Sequence, residues 1–370
     1  MFTNFQQRRI LLADVLKENH LEAAAFVPGP NFYYLTGLKF SLMERPTLMF
    51  VTDSGDVFAI MPELEREMWS ASMHDAKTFY WQDSDGFNKA FKDLAVELGS
   101  ITIGIEGQRM RAFEANALNS VFGADAIRDA QAELAKPRLL KSDHEVQLIE
   151  KAIEISEISL GETLENIRTG MSEAAIKAML MQRMLANGAD GFAFDTIVLT
   201  GGNAARPHGI PGEAPLLAGA PLLIDFGASF QGYNADITRT VFCEYISDEN
   251  AKIYEAVLAA NTAGRHMAAA SVSCHEVDLK VSSTLREAGF NELIVHKTGH
   301  GLGLDVHEAP NVMINNHTIL EAGMLITIEP GLYRSNFIGV RIEDDVLITN
   351  DGCRSLTSFE RGPVFVGNVK

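Results

Sequence analysis

The chain has 370 residues, of which 46% are hydrophobic and 22% charged, so it is long enough for two or three globular domains. Its formal net charge is −18, with 49 acidic against 31 basic residues, which excludes nucleic acid and an anionic membrane surface as expected partners. The three cysteines are widely spaced and include no CxxC pair, so they indicate neither a disulfide framework nor a thiolate metal site. The stretch MFTNFQQRRILLADVL has only a short apolar segment, and no apolar window of membrane-spanning length occurs. We therefore expect a soluble, cytoplasmic protein without a signal peptide.

Helix and strand patterns alternate through the first third of the chain. The spacing of apolar residues predicts a helix over residues 8–18. Short apolar runs predict strands at residues 23–27, 47–51, 57–61 and 101–105. Residues 132–140 contain Pro137 and read as a linker. The sequence thus predicts an α/β domain over residues 1–132 and a second domain over residues 133–370.

The second domain opens with two helix patterns. Ser142 is a good N-cap with Glu145 three residues on, which predicts a helix over residues 142–167. Further helices are predicted over residues 172–186, near 248–270 and near 276–288, a strand at 195–199, and a glycine-rich loop at 201–209.

A first pair of acids lies in adjacent strand patterns. Residues 222–227 form an apolar strand with Asp225 in its centre, and Asp236 lies eleven residues further on in a second strand. Residues 230–232 between them predict a turn. If the hairpin is centred there, the two acids are directly opposite and share a face. Two carboxylates so placed repel each other unless a cation lies between them.

The same pattern recurs later in the chain. Residues 324–329 form an apolar strand that ends in Glu329, and residues 340–348 form another that contains Glu343. Their midpoint falls at Asn336, so these two acids are also expected to face each other. Each acid alone could instead form a salt bridge or an edge charge. Four buried carboxylates need compensation, however, and two divalent ions of Mn, Co, Fe or Zn would suit such ligands.

Three of the ten histidines lie in one short glycine-rich segment. The sequence HKTGHGLGLDVHE contains His296, His300 and His307, and its glycines let the backbone approach a ligand closely. A lone histidine is more often an ordinary polar residue, but this clustering favours a binding site. His208 in the glycine-rich loop is a fourth candidate, and the other six are interpreted as surface or helix residues.

At these residues the sequence resembles the family of methionine aminopeptidase, prolidase, aminopeptidase P and creatinase, which has the pita-bread fold. The matching stretches are IDFGASFQGYNADITRTV, HKTGHGLGLDVHEAP, TIEPGLY and VRIEDDVLI, with GGNAARPHG upstream. The segment NFYYLTGL near the N-terminus resembles the companion domain of prolidases and aminopeptidases P. The resemblance implies an α+β protein in which a smaller α/β creatinase-like N-terminal domain precedes a C-terminal pita-bread catalytic domain.

Carried over residue by residue, the resemblance implies two divalent metal ions, with manganese as the family default, and five ligands: Asp225, Asp236, His300, Glu329 and Glu343. Asp236 and Glu343 would bridge the two ions. The resemblance also places His208, His296 and His307 at the substrate site, with Arg341 orienting the acids. Creatinase-like members have lost several of these ligands and work without metal, whereas all five are present here.

The implied reaction is hydrolysis of a peptide bond by metal-activated water. Glu329 is the candidate general base, and His208 and His307 are candidate donors to the oxyanion and the substrate carboxylate. His296 and Arg341 could also reach that carboxylate. Phe194 could form an apolar wall for a proline ring.

The expected substrate is a small peptide with proline after the scissile bond. The chain length favours an Xaa-Pro dipeptidase, or prolidase, working as a homodimer whose N-terminal domain caps the cleft. Three alternatives remain: an Xaa-Pro aminopeptidase acting on longer peptides, a related metal-dependent amide hydrolase, and a non-enzymatic binding module of the histone-chaperone kind. The last predicts eroded ligands, which the sequence does not show.

Overall fold

The computed structural model describes residues 5–367, which form two compact units that divide between Arg138 and Leu139. The first four residues of the N-terminal stretch considered above lie outside the described part. The domain limits at residues 132 and 133 stay a prediction, and residue 132 itself lies in a short helix, Gln131–Ala135. Within residues 5–367, no helix is both long and apolar enough to cross a membrane.

Over its described residues, 5–138, the N-terminal unit is one mixed six-stranded sheet with six α-helices. Its strands are β1 (Ala23–Phe26), β2 (Leu48–Thr52), β3 (Val57–Pro62), β4 (Lys77–Trp81), β5 (Ile103–Ile105) and β6 (Ile127–Asp129). Its helices are α1 (Phe5–Glu18), α2 (Pro30–Thr36), α3 (Arg66–Ser72), α4 (Asn88–Leu98), α5 (Ala112–Phe122) and α6 (Gln131–Ala135). The strand order is β4-β3-β2-β1-β5-β6. Every residue of β1 and β2 is buried, which explains why these strands read as unbroken apolar runs.

The C-terminal unit combines four long helices with short strands. The helices are α7 (Asp143–Asn166), α8 (Glu173–Ala186), α9 (Asp248–Met267) and α10 (Cys274–Glu287). The strands are β7 (Gly191–Phe192), β8 (Ile197–Thr200), β9 (Pro221–Phe226), β10 (Ala228–Phe230), β11 (Tyr233–Asn234), β12 (Ile237–Cys243), β13 (Gly299–Gly301), β14 (Glu308–Val312), β15 (Leu325–Ile328), β16 (Gly331–Arg334), β17 (Ile338–Arg341), β18 (Asp344–Thr349), β19 (Gly352–Ser355) and β20 (Phe365–Val366). The capping box predicted at Ser142 and Glu145 is confirmed.

Each pair of helices packs on one long, interrupted hairpin. Ile149 of α7 and Leu180 of α8 are fully buried in one core with Ile224 of β9. A second core joins α9 and α10 to β16 and β17, with Val257 and Val340 among its fully buried members. Burying an aliphatic side chain of this size contributes about 1.5–3 kcal/mol, so these cores fix both hairpins against their helices.

The first hairpin has a different register from the predicted one. Phe230 pairs with Tyr233 around a two-residue turn, Gln231–Gly232, in which both residues have positive φ as a type I′ turn requires. Asp225 therefore pairs with Thr238, and the prediction that it lies directly opposite Asp236 was wrong. The predicted pairing was centred between residues 230 and 231, whereas the observed turn is centred between 231 and 232, and a centre one residue later moves the partner by two residues. Because side chains alternate with a period of two, both acids still lie on one face.

The second hairpin has the predicted register. Gly331 pairs with Arg341 in β16 and β17, and Ile328 pairs with Asp344 in β15 and β18. The same count on both sides of the interruption puts Glu329 opposite Glu343. The prediction of one strand over residues 340–348 was wrong, however, because β17 and β18 are separate strands with different partners.

Candidate metal centre

The predicted acids lie where the two hairpins are interrupted. Asp225 is near the end of β9, and Asp236 lies between β11 and β12. Glu329 lies between β15 and β16, and Glu343 between β17 and β18. A gap in the strand pairing lets a side chain turn towards the opposite hairpin. The interruptions of both hairpins therefore meet around a common centre.

The ligand atoms of the predicted residues converge. His300 Nε2 lies 3.6 Å from Asp236 Oδ2 and 3.3 Å from Glu329 Oε1. Three overlapping groups each place one ligand atom per residue within 4.8 Å of the others: Asp225, Asp236 and Glu343; His300, Glu329 and Glu343; and Asp236, His300 and His307. All five predicted metal ligands thus belong to one cluster, which His307 also joins.

Hydrogen bonds across the gap hold the two hairpins together. Glu343 N–H donates to the Thr238 carbonyl oxygen at 3.1 Å, and Thr238 Oγ1 donates to Glu343 Oε2 at 2.6 Å. Asn261 of α9 donates through Nδ2 to the carbonyl oxygens of Ile328 and Ile342, at 3.0 and 3.3 Å. These two carbonyls sit beside the interruption, so Asn261 satisfies acceptors that the strand pairing leaves open.

The acids repel one another in a buried site. Burial, and then the nearby Glu343, raises the pKa of both Asp236 and Glu329 well above the ordinary carboxyl range. Burial, and then Asp225, raises the pKa of Glu343 to about 7. Asp225 Oδ1 is buried without a hydrogen-bond donor among residues 5–367. Carboxylate oxygens and one imidazole that face each other in this way fit divalent cations.

The orientation of His300 also suits a ligand. Its Nδ1 lies 3.1 Å from the Gly301 carbonyl oxygen, which fixes the proton on Nδ1 and leaves Nε2 facing the carboxylates. Burial, and then His307, lowers the pKa of His300 to about 3. A neutral imidazole with a free Nε2 lone pair is the form that binds metal ions.

The metal-free protein should lose stability as the pH rises from about 5 to 8. A carboxyl group whose pKa is raised on folding stabilises the fold while it is protonated, and that contribution is lost between the unfolded pKa and the raised folded pKa. The pKa of Glu343 rises from 4.5 to about 7, which sets this window, and the raised pKa values of Asp236 and Glu329 act in the same direction. Urea unfolding of chelator-treated protein at the two pH values measures the change. A stability of the metal-free protein that stays flat or increases would contradict the buried-acid description.

Arg341 lies behind the acids. Its guanidinium donates to Asp225 Oδ2, to Thr238 Oγ1 at 2.9 Å and to the Tyr333 hydroxyl at 2.7 Å. Arg341 thus contacts one of the acids, Asp225, and its role in orienting the acids stays a prediction. His296 contacts the same Tyr333 hydroxyl through Nε2, at 2.9 Å.

All ten predicted site residues line one cavity of about 980 Å³. The five metal-ligand candidates line it, and the other lining residues from the prediction are Phe194, His208, His296, His307 and Arg341. The cavity also includes Arg206 and Lys297, which were not among the predicted site residues. The sequence thus predicted the composition of the cavity well, while the role of each residue stays a prediction.

Sequence reasoning missed the residues that support the ligands. Tyr333 and Asn261 are buried polar residues that bridge the elements carrying the acids. Asp345 is buried behind Asp236 and accepts its backbone N–H through Oδ2 at 3.1 Å. An asparagine on the apolar face of a helix pattern, as at Asn261, was the one signal in the sequence that could have revealed this layer.

Two family models together match almost the whole chain. The model of metallopeptidase family M24 matches residues 147–350, and that of the creatinase/prolidase N-terminal domain matches residues 8–140. The chain therefore belongs to metallopeptidase family M24, a family description that implies divalent metal ions. The predicted family resemblance is confirmed, and so is the predicted fold class, an α+β protein with a creatinase-like N-terminal domain and a pita-bread C-terminal domain.

Individual relatives span the same length. An Xaa-Pro dipeptidase of Pyrococcus horikoshii is 34% identical over 353 residues, which cover 95% of this chain and 96% of that protein. The structure of the dipeptidase PepE of Mycobacterium ulcerans matches with a TM-score of 0.93 at 28% identity, covering 99% of each chain. The structure of an X-Pro aminopeptidase of Thermotoga maritima matches with a TM-score of 0.84 at 30% identity, covering 98% of this chain and 99% of that one.

Proposed function

We propose that the protein is an Xaa-Pro dipeptidase that uses two divalent metal ions held by Asp225, Asp236, His300, Glu329 and Glu343. The observation that carries this proposal is the convergence of all five side chains in one cavity of a family M24 metallopeptidase. The full-length similarity to an Xaa-Pro dipeptidase supports the substrate. Manganese as the ion, bridging by Asp236 and Glu343, a homodimer and a cytoplasmic location belong to the same proposal.

Divalent ions held by these five residues would polarise the scissile carbonyl and lower the pKa of a bound water towards neutrality. Glu329 keeps 15% of its side chain exposed at the cavity wall, which suits it to accept the proton of the attacking water. It then delivers that proton to the proline nitrogen, which leaves as a secondary amine. Glu343 and Asp225 hold their positions through this transfer, because Thr238 donates a hydrogen bond to Glu343 and Arg341 donates one to Asp225.

The histidines and Phe194 contact the substrate in this proposal. The rings of His300 and His307 are 4.1 Å apart, so His307 stands beside the acids and can donate to the oxyanion that develops at the scissile carbonyl. His208 approaches from the glycine-rich loop on the wall of the same cavity. Phe194 offers an apolar surface for the proline ring, which carries no amide hydrogen to donate.

The second candidate is an Xaa-Pro aminopeptidase, which the similarity to the Thermotoga maritima structure favours. Hydrolysis of Ala-Pro and of Ala-Pro-Ala by the manganese-loaded protein separates the two. We expect kcat/KM for the dipeptide to be at least about tenfold higher, since a carboxylate contact next to the scissile bond is worth about 1.4 kcal/mol or more. Equal or better cleavage of the tripeptide would make aminopeptidase the correct description.

A further inference from the structure

Two of the residues expected to reach the substrate carboxylate, Arg341 and His296, already bind protein groups. Arg341 donates to Asp225, Thr238 and Tyr333 through all three guanidinium nitrogens. His296 has both ring nitrogens in contact with protein oxygens, Nδ1 with the Lys297 carbonyl at 2.7 Å and Nε2 with Tyr333. A side chain that is already hydrogen-bonded to protein groups contributes little net binding free energy to a ligand, because the new hydrogen bonds replace existing ones. Another cation of the cavity is therefore required.

Lys297 and His307 also line the cavity, but they are weak candidates for binding the substrate carboxylate. Lys297 Nζ donates to Asn311 Oδ1, and burial lowers the pKa of this ammonium while the charge of Glu329 attracts it. The His307 ring centroid lies 4.1 Å from that of His300, beside the metal-ligand candidates, and an imidazole carries no permanent charge as a guanidinium does. Neither group offers a permanent, uncommitted positive charge to a carboxylate.

Arg206 has both properties. It lines the cavity, it is exposed, and among residues 5–367 its guanidinium has neither an ion-pair partner nor a hydrogen-bond acceptor. A guanidinium stays charged at every physiological pH and presents paired donors that match the two oxygens of a carboxylate. Because the Arg206 guanidinium has no protein partner among the described residues, it can form an ion pair with an anionic ligand.

The loop that carries Arg206 is held in place at both ends. Glu173, buried at the start of α8, accepts the Thr200 N–H at 2.8 Å, Asn203 Nδ2 at 3.1 Å and the Gly212 N–H at 2.9 Å. The middle of the loop packs tightly on the second hairpin, because a Cβ on Gly339 would come within 1.8 Å of the backbone oxygen of Ala204. The backbone at Arg206 is thus preorganised, and only its side chain has to be ordered on binding.

We propose that Arg206 binds the C-terminal carboxylate of the dipeptide and so sets the preference for substrates that end at proline. The assignment rests on the proposed dipeptidase function and names the group that recognises the end of the substrate. Since a tripeptide carries its carboxylate one residue further from the scissile bond, the same contact excludes longer peptides. Arg206 is a specificity-determining residue here and takes no part in the proton transfers.

The test compares Ala-Pro with Ala-Pro amide, which lacks the carboxylate charge, in the manganese-loaded wild-type protein and in Arg206→Gln. Loss of a charge-assisted contact should lower kcat/KM for Ala-Pro by about 10- to 100-fold and change that for the amide by less than about twofold. The effect should fall mainly on KM, and Arg206→Lys should restore part of it. Arg183→Gln removes a surface charge from α8, where Arg183 faces Glu162 at 3.7 Å outside the cavity, and should match the wild type on both substrates.

Each other outcome counts against the assignment. Equal losses on both substrates would show that Arg206 does not contact the carboxylate. If Lys297→Gln, and not Arg206→Gln, removed the preference for Ala-Pro over its amide, the carboxylate site would belong to Lys297. A wild-type protein that hydrolyses neither substrate would overturn the proposed function itself, and the assignment of Arg206 with it.

Discussion

Removal of divalent metal ions is expected to abolish hydrolysis of Ala-Pro and to lower the melting temperature. Asp225, Asp236, Glu329 and Glu343 are pushed together in a buried site, and bound cations relieve their repulsion. An ion that binds only the folded state stabilises it by about 2.7 kcal/mol when free metal is at 100 times Kd. For a unit of this size that corresponds to roughly 5–10 °C in Tm for each ion.

Calorimetry and an activity assay before and after chelation, followed by addition of manganese, measure both effects. Activity and Tm should return together on titration, and metal analysis should find up to two ions per chain. Full activity of a metal-free, chelator-treated protein would rule out the metal centre.

The convergence of the acids could be predicted because strand geometry is periodic. The centre of the first hairpin was predicted one residue too early, so the partner of Asp225 is Thr238 and not Asp236. This error of two residues left every side chain on its predicted face, whereas an error of one would have turned Asp236 away. The second turn around Asn336 was centred correctly, and the facing of Glu329 and Glu343 followed.

The interruptions of the strands could not be predicted from the same pattern. Residues 340–348 carry β-branched residues on both sides of Glu343, namely Val340, Ile342, Val346 and Ile348, so they read as one strand. The break between β17 and β18 depends on partners from distant segments: Asn261 in α9 and Thr238 in β12. Sequence spacing carries no information about such contacts.

The different roles proposed for Arg341 and Arg206 could not be predicted from the sequence for the same reason. From the sequence, Arg341 served equally well to orient acids and to bind substrate. Its contact with Tyr333, eight residues back along the hairpin, shows that the guanidinium is enclosed by protein groups. Arg206 had no distinguishing feature in the sequence, because a free guanidinium becomes visible only when every neighbour is known.

Glu343→Gln and Asp236→Asn are each expected to lower kcat/KM for Ala-Pro by at least about 100-fold, or about 2.7 kcal/mol of transition-state stabilisation. Both substitutions preserve side-chain size but remove a charge from the centre of the cluster, where the atoms of Asp225, Asp236 and Glu343 lie within 4.8 Å of one another. Glu343→Gln also places an amide beside the Thr238 hydroxyl that now donates to Oε2. Bound metal per chain should fall with activity.

Three further variants locate this effect. Glu157→Gln is a matched isosteric control, since Glu157 accepts donors from Ser358 and Phe359 outside the cavity, and it should keep metal and activity. His317→Ala, at an exposed ring that stacks on His275, should do the same. His307→Ala should keep the metal but lower turnover, because its assigned contact is with the substrate. If all of these changes reduced metal content equally, the centre would not lie where the two hairpins meet.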